Sequence, residues 1–210
     1  MNQALHDLGD YVAAAMPRDV VSTDIICDEL VISARAGTII KLLTFLRDDS
    51  NCQFRQLVDL CGVDYPDRDI RFEVVYNLLS LTLNQRIRVK ITVADGVPVP
   101  SVTGVFSGAG WYERETWDLY GIYFSDHPDL RRLLTDYGFE GHPLRKDFPL
   151  TGRVEMRYDQ AQKRIVYDSV NLTQEYRRFD FMSPWEGMTQ DLPGDEKATS
   201  GVDENEDGKL

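Results

Sequence analysis

Residues 71–93 constrain this chain more than any other stretch. From Arg71 to Leu83, Phe72, Val74, Tyr76 and Leu78 fall on one side of an extended run. After a tight turn near Asn84-Gln85, Arg86 to Val93 alternates cleanly, with Ile87, Val89, Ile91 and Val93 inward and Arg86, Arg88, Lys90 and Thr92 outward. A period of two with one apolar face describes paired antiparallel strands that bury one side. Two strands alone are marginal in water, so neighbouring elements must cover that face.

The flanking sequence supplies them. Residues 3–16 place Ala4, Leu5, Leu8, Tyr11, Val12 and Ala15 at helical spacing, and Pro17 stops the run. Glu29 to Arg35 alternates as a strand, with a possible short strand before it near Val20–Ile26. Gly37-Thr38 opens a second helix, with Thr38 as its N-cap and Ile39, Leu42, Leu43 and Leu46 as its apolar stripe. Phe54 to Tyr65 leans towards strand. This order predicts an α+β fold, a two-layer N-terminal domain with helices on one face of a mixed, mostly antiparallel sheet. The outward row Arg86, Arg88 and Lys90 reads as a solvated face or as a partner-facing stripe.

Asp95-Gly96-Val97-Pro98-Val99-Pro100 reads as a linker. Beyond it, Trp111 to Tyr123 is a helix candidate. Asp126-His127-Pro128-Asp129-Leu130 looks like a helix start, with an acid or His127 capping and Pro128 in the first turn. From Leu134 to Leu150 the chain is irregular, rich in aromatics, Gly, Pro and charge. Val154–Asp159 and Arg164–Val170 read as a hairpin joined by Gln160-Ala161-Gln162-Lys163. Three regions follow: a core domain at 1–100, an extension of interface helix, irregular segment and hairpin at 101–190, and an acidic, disordered tail at 191–210. The tail has seven acids and two lysines, so it holds −5 of the net charge of −12.

Composition excludes several functions. Apolar and charged fractions of 42% and 28% are those of a globular protein. The acidic balance argues against binding nucleic-acid backbones. No apolar run is long enough to span a bilayer, and the first residues suggest neither a secretory signal nor a transit peptide. Cys27, Cys52 and Cys61 are odd in number and form no CxxC, so no zinc or iron–sulfur site follows from them. His6, His127 and His142 make a weak metal set. Phosphate-loop, dinucleotide-binding, nucleophile-elbow and zincin motifs are missing.

The stretch Ala109-Gly110-Trp111-Tyr112-Glu113-Arg114-Glu115-Thr116-Trp117-Asp118-Leu119-Tyr120-Gly121-Ile122 concentrates acids, rings and an arginine. Trp111, Glu115, Asp118 and Ile122 fall on one helical face. A free-standing hydrolase or metal-dependent enzyme using Glu115 and Asp118 is one reading. Nearby Arg114, Arg131, Arg132 and Arg145 would depress those carboxyls, away from the general-acid range. Trp, Tyr and Arg are also the residues of interface hot spots, which favours a helix held against a partner.

The same residues carry a resemblance. Trp111 to Ile122, Asp126 to Leu150, Glu175 to Phe181 and Ser183 to Gly187 resemble the blocks of the C, or thirty-kilodalton, subunit of proton-translocating NADH:quinone oxidoreductase, respiratory complex I. The resemblance implies a peripheral-arm subunit that binds no flavin or iron–sulfur cluster itself, those groups residing in partner subunits. It implies contact with subunits D, B and I on the cytoplasmic side of a bacterial plasma membrane, or the matrix side if organellar. It also implies that the extended C-terminal segment wraps on a partner. Trp111, Glu113, Arg114, Glu115, Trp117, Asp118, Gly121, His127, Arg131, Arg132, Tyr137, Arg145 and Asp147 are the expected interface residues, with no catalytic or metal-binding residue in this chain.

Overall fold

The computed structural model describes residues 2–174 and 176. The chain divides into two units, Met1–Ser169 and Val170–Leu210. In the second, the described residues form neither helix nor strand. The expectations for Ser183–Gly187 and the acidic tail, and nearly all of that for Glu175–Phe181, lie outside the described residues.

The first unit begins with helix α1 (Asn2–Ala15), followed by strands β1 (Val20–Ile26) and β2 (Glu29–Ala34), helix α2 (Ile39–Asp48) and strands β3 (Gln56–Asp64), β4 (Phe72–Ser80) and β5 (Gln85–Val93). These strands form one sheet in the order β1-β2-β5-β4-β3. Every pairing is antiparallel except β2 with β5. The alternation decides which face is covered. Ile32 of β2, Leu60 of β3, Val74 and Tyr76 of β4 and Ile87 and Val89 of β5 are buried with Leu5, Leu8 and Val12 of α1 and the whole stripe Ile39, Leu42, Leu43 and Leu46 of α2. The fold is therefore α+β with a mixed, mostly antiparallel sheet. On the opposite face, Arg88 bonds Asn77 and Glu29 while Lys90 pairs with Glu73, so these two members of the outward row are tied within the sheet and Arg86 is exposed.

Three local expectations change. Thr38 occupies the N-cap position without a capping bond; its hydroxyl instead donates to the Arg35 carbonyl at 3.4 Å. The stretch 95–100 is not an open linker. Its end forms β6 (Val99–Pro100), which pairs in parallel with β7 (Phe124–Ser125). Val99, Val102, Phe106, Ala109, Ile122 and Phe124 all join the main core, which thus continues past residue 100. No helix starts at Asp126–Leu130; the segment is a turn in which His127 Nδ1 accepts the Asp129 N–H at 3.0 Å. Between β6 and β7 lies helix α3 (Ala109–Tyr120), and the unit closes with the hairpin β8 (Val154–Asp159) and β9 (Arg164–Ser169).

Candidate partner interface

Helix α3 lies along edge strand β3. Tyr112 donates to the Val58 carbonyl at 3.2 Å, and a Cβ at Gly62 would sit 2.9 Å from the Tyr120 ring. The end of α3 explains much of the irregular chain that follows. The last turn of a helix leaves carbonyls without intrahelical donors. Here Gly121 takes the left-handed conformation (φ 76°) and its N–H reaches Trp117 O. His142 Nδ1 meets Asp118 O at 2.9 Å, the Leu144 N–H meets Leu119 O at 3.0 Å, and Arg145 Nε meets Tyr120 O at 2.7 Å. Segment 142–145 is thus the C-terminal cap of α3.

Two fully buried carboxylates fasten the chain on either side of the helix. Glu113 receives the Val102 N–H at 2.7 Å and lies 2.6 Å from the Ser101 hydroxyl, tying the incoming chain to α3. Asp118 gathers the outgoing chain: the N–H groups of Leu133, Leu134 and Thr135, the Thr135 hydroxyl and the Arg132 guanidinium all donate to it. Burial pushes both carboxyls up. At Glu113 burial prevails over the bonds from Ser101 and Val102, and the carboxyl stays raised. At Asp118 the donors from Thr135, Leu134 and Leu133 overcome burial and hold the carboxyl at about 2.

A third buried acid, Asp64 at the end of β3, is bonded at 2.6 and 2.8 Å by Arg71 and at 2.7 Å by the Lys146 N–H. Arg71 also holds Asp147, and Arg145 holds both oxygens of Asp95. The hydrogen bond from Arg71, ahead of the opposing effect of burial, keeps the Asp64 carboxyl below its ordinary range.

The surface left outside is apolar and aromatic. Arg114 donates to the carbonyls of Arg131 and Arg132 and sits over the Trp111 ring, whose residue is 62% exposed. Tyr137 is 97% exposed. On one face of the hairpin, Met156 opposes Tyr167 and Tyr158 opposes Ile165, and all four are more than half exposed. A cavity of about 870 Å³ opens beside them, lined by Leu119, Leu134, Phe139, Phe148, Met156 and Tyr167 among others. Tyr167 is anchored by its hydroxyl, which donates to Asp136 at 2.6 Å.

The thirteen residues singled out from sequence therefore separate by position. Trp111, Glu115, Arg131 and Tyr137 face outward. Glu113 and Asp118 are interior, and the His127 side chain is only 3% exposed. Arg132, Arg145 and Asp147 are spent on bonds within the chain, Gly121 is the helix stop, and Arg114 and Trp117 are partly covered. Sequence reasoning missed Asp64, Asp95, Ser101 and Thr135. Asp64 had a signal: it falls in phase with buried Leu60, an acid on the inward side of a strand. The hydrolase reading is overturned on geometry, because Asp118 is buried with its oxygens occupied while Glu115 is exposed.

Among the described residues, no group of three or more His, Cys, Asp or Glu is placed to hold a metal, and no helix is long and apolar enough to cross a membrane. Burial pushes the Cys52 thiol up to about 12, away from the reactive thiolate form. Fold and site define an α+β chain in which three buried acids bond its own loops and a set of aromatic and apolar side chains is left outside the core. It belongs to the family described as the 30 kDa subunit of respiratory-chain NADH dehydrogenase, whose model matches residues 32–154. The C subunit of NADH-quinone oxidoreductase from Paramagnetospirillum magneticum is 64% identical over 199 residues, covering 94% of this chain and all of that protein. Its counterpart in Rhodospirillum rubrum is 62% identical over 200 residues, covering 93% and 94% of the two chains. The fold matches a chain in the membrane-bound sulfane sulfur reductase, an archaeal respiratory membrane complex, with a TM-score of 0.60 at 22% identity over 69% of this chain and 85% of that one.

Proposed function

We propose that this chain is a non-catalytic structural subunit of the peripheral arm of a proton-translocating NADH:quinone oxidoreductase, needed to assemble and stabilise its quinone-reducing module. The observation that carries this reading is the apolar surface running over Leu134, Tyr137 and the hairpin face Met156, Tyr158, Ile165 and Tyr167. An exposed aromatic patch of this kind marks a protein interface. The self-contained body extends to about residue 125 in this reading, and the partner-facing extension begins at about 126. Trp111, Glu115, Arg131 and Tyr137 contact the partner, and the remaining nine of the thirteen hold the surface in shape.

Subunits D, B and I are the partners in this proposal, and flavin and iron–sulfur clusters belong to other subunits. The chain then sits peripherally, at the cytoplasmic face of a bacterial membrane or its matrix counterpart. The test is affinity capture of the full chain from membranes with identification of co-purifying subunits. Wild type brings down the quinone-module subunits and Met156→Asp brings down few or none. Capture unchanged by Met156→Asp, with NADH–quinone turnover intact, overturns the assignment of this surface.

A further inference from the structure

Glu113 is buried without a counter-ion. Three elements bring polar groups towards its carboxyl: β4 carries Tyr76, whose hydroxyl would feel its charge, the chain after β6 brings Ser101 with Thr103 bonded behind it, and the turn after β7 brings His127. Among the described residues, no lysine or arginine makes an ion pair with it. The nearest possible cation is His127, with Nε2 3.8 Å from Oε2. Both ring nitrogens of His127 are already committed. The Gly110 carbonyl, which can only accept, lies 3.1 Å from Nε2, so Nε2 carries the proton. The Asp129 N–H, which can only donate, lies 3.0 Å from Nδ1, so Nδ1 carries none. His127 is therefore a neutral imidazole, with Asp129 beside it in the turn. The fully buried Tyr76 hydroxyl has no hydrogen-bond partner, so it does not stabilise a charge on Glu113 either.

Asp118 shows what an ionised carboxylate in this helix requires: five donors, one of them a guanidinium. Glu113 has two neutral donors, and an ionised carboxylate so placed loses its hydration with little in return. We infer that Glu113 and His127 form a buried proton-binding site, in which Glu113 is a neutral carboxylic acid whose Oε2–H donates to Ser101 Oγ. Ser101 Oγ then passes its own hydrogen to Thr103 Oγ1 at 2.9 Å. Burial, opposed by the bonds from Ser101 and Val102, raises the carboxyl and acts in the same direction. The site is independent of which subunits the outer surface binds.

Two measurements on the full chain test this. Spectra of 13C-carboxyl-labelled glutamate and 15N-labelled histidine near neutral pH should show one protonated glutamate, absent from Glu113→Gln, and a neutral Nε2–H imidazole at His127. Only ionised glutamates, or an imidazolium at His127, overturns the inference. The second is unfolding stability against pH for wild type and Glu113→Gln. A carboxyl raised in the folded state stabilises most below its unfolded pKa, and that stability is lost as pH rises through the folded value. Glu113→Gln should therefore match wild type in mild acid and gain on it as the solution becomes alkaline. If wild type gains on Glu113→Gln instead, the ionised form is the supporting one and the site is wrongly assigned. Should Glu113→Gln fail to fold, the wild-type spectra decide alone.

Discussion

Glu113 and Asp118 lie on one helix, both fully buried, and their carboxyls are displaced in opposite directions. Burial raises both; it outweighs the two donors at Glu113 and is outweighed by the donors gathered around Asp118. One acid faces a neutral histidine and a serine; the other faces consecutive N–H groups and an arginine. The same helix thus has one interior acid that favours its proton and one that has lost it.

The Asp118 end yields a prediction with a defined sign. Its carboxyl is depressed from an ordinary 3.8 to about 2, so its contribution is complete above about pH 4 and fades as pH falls towards 2. The contribution is on the order of 2 kcal/mol. In denaturant titrations, wild type should lose this amount over that window relative to Asp118→Asn. Near neutral pH, Asp118→Ala should cost roughly 3–5 kcal/mol, because Arg132 and the loop N–H groups lose their acceptor. Equal acid sensitivity in wild type and Asp118→Asn would show that Asp118 is not the titrating group.

Gly121 supports a second. Its φ of 76° is unfavourable for residues with a side chain, and an added Cβ would lie 2.6 Å from the His142 ring that caps the helix. Gly121→Ala should lower stability by at least about 1–2 kcal/mol. In a double-mutant cycle the loss should be smaller in a His142→Ala background, where the closest clash is gone and the contact with Arg145 Nη2 at 2.8 Å is left. Strict additivity of the two changes would place the cost in the backbone and the Arg145 contact, not in the His142 ring.

Much of this fold was legible because its elements are periodic. Strand β5 alternates, β4 buries Phe72, Val74, Tyr76 and Leu78 as expected though Glu73 and Val75 are buried as well, and the α2 stripe Ile39, Leu42, Leu43 and Leu46 is buried as its spacing requires. Helix α3 was legible as a helix but not as to its faces. Its buried residues, Ala109, Glu113, Thr116 and Asp118, include two acids that helical patterning assigns to solvent. Their partners at Ser101, Val102 and Leu133–Thr135 come from elsewhere in the chain, and no local rule encodes that closure. Parallel pairing of Val99 with Phe124 was hidden in the same way, since two-residue strands leave no period to read. The turn at Asp126–Leu130 misled because Pro128 and a flanking acid also mark helix starts; here His127 Nδ1 takes the Asp129 N–H and closes a turn instead.

The last prediction separates the inner residues of α3 from its outer ones. Trp111 is mostly exposed, and the Arg114 guanidinium lies 5.0 Å from its ring centroid. An exposed cation–π contact contributes about 0.5–1 kcal/mol, so Trp111→Ala should barely shift unfolding of the chain. A tryptophan at the centre of an interface contributes about 2 kcal/mol or more to binding, so capture of partner subunits should weaken by roughly thirtyfold. Asp118→Ala should lose capture as well, but in step with loss of folding, because it frees the loop that shapes the surface. Measuring stability and capture on the same preparations distinguishes the two. If Trp111→Ala unfolds the chain as readily as Asp118→Ala, or captures partners as well as wild type does, then the outward face of α3 is not part of the interface.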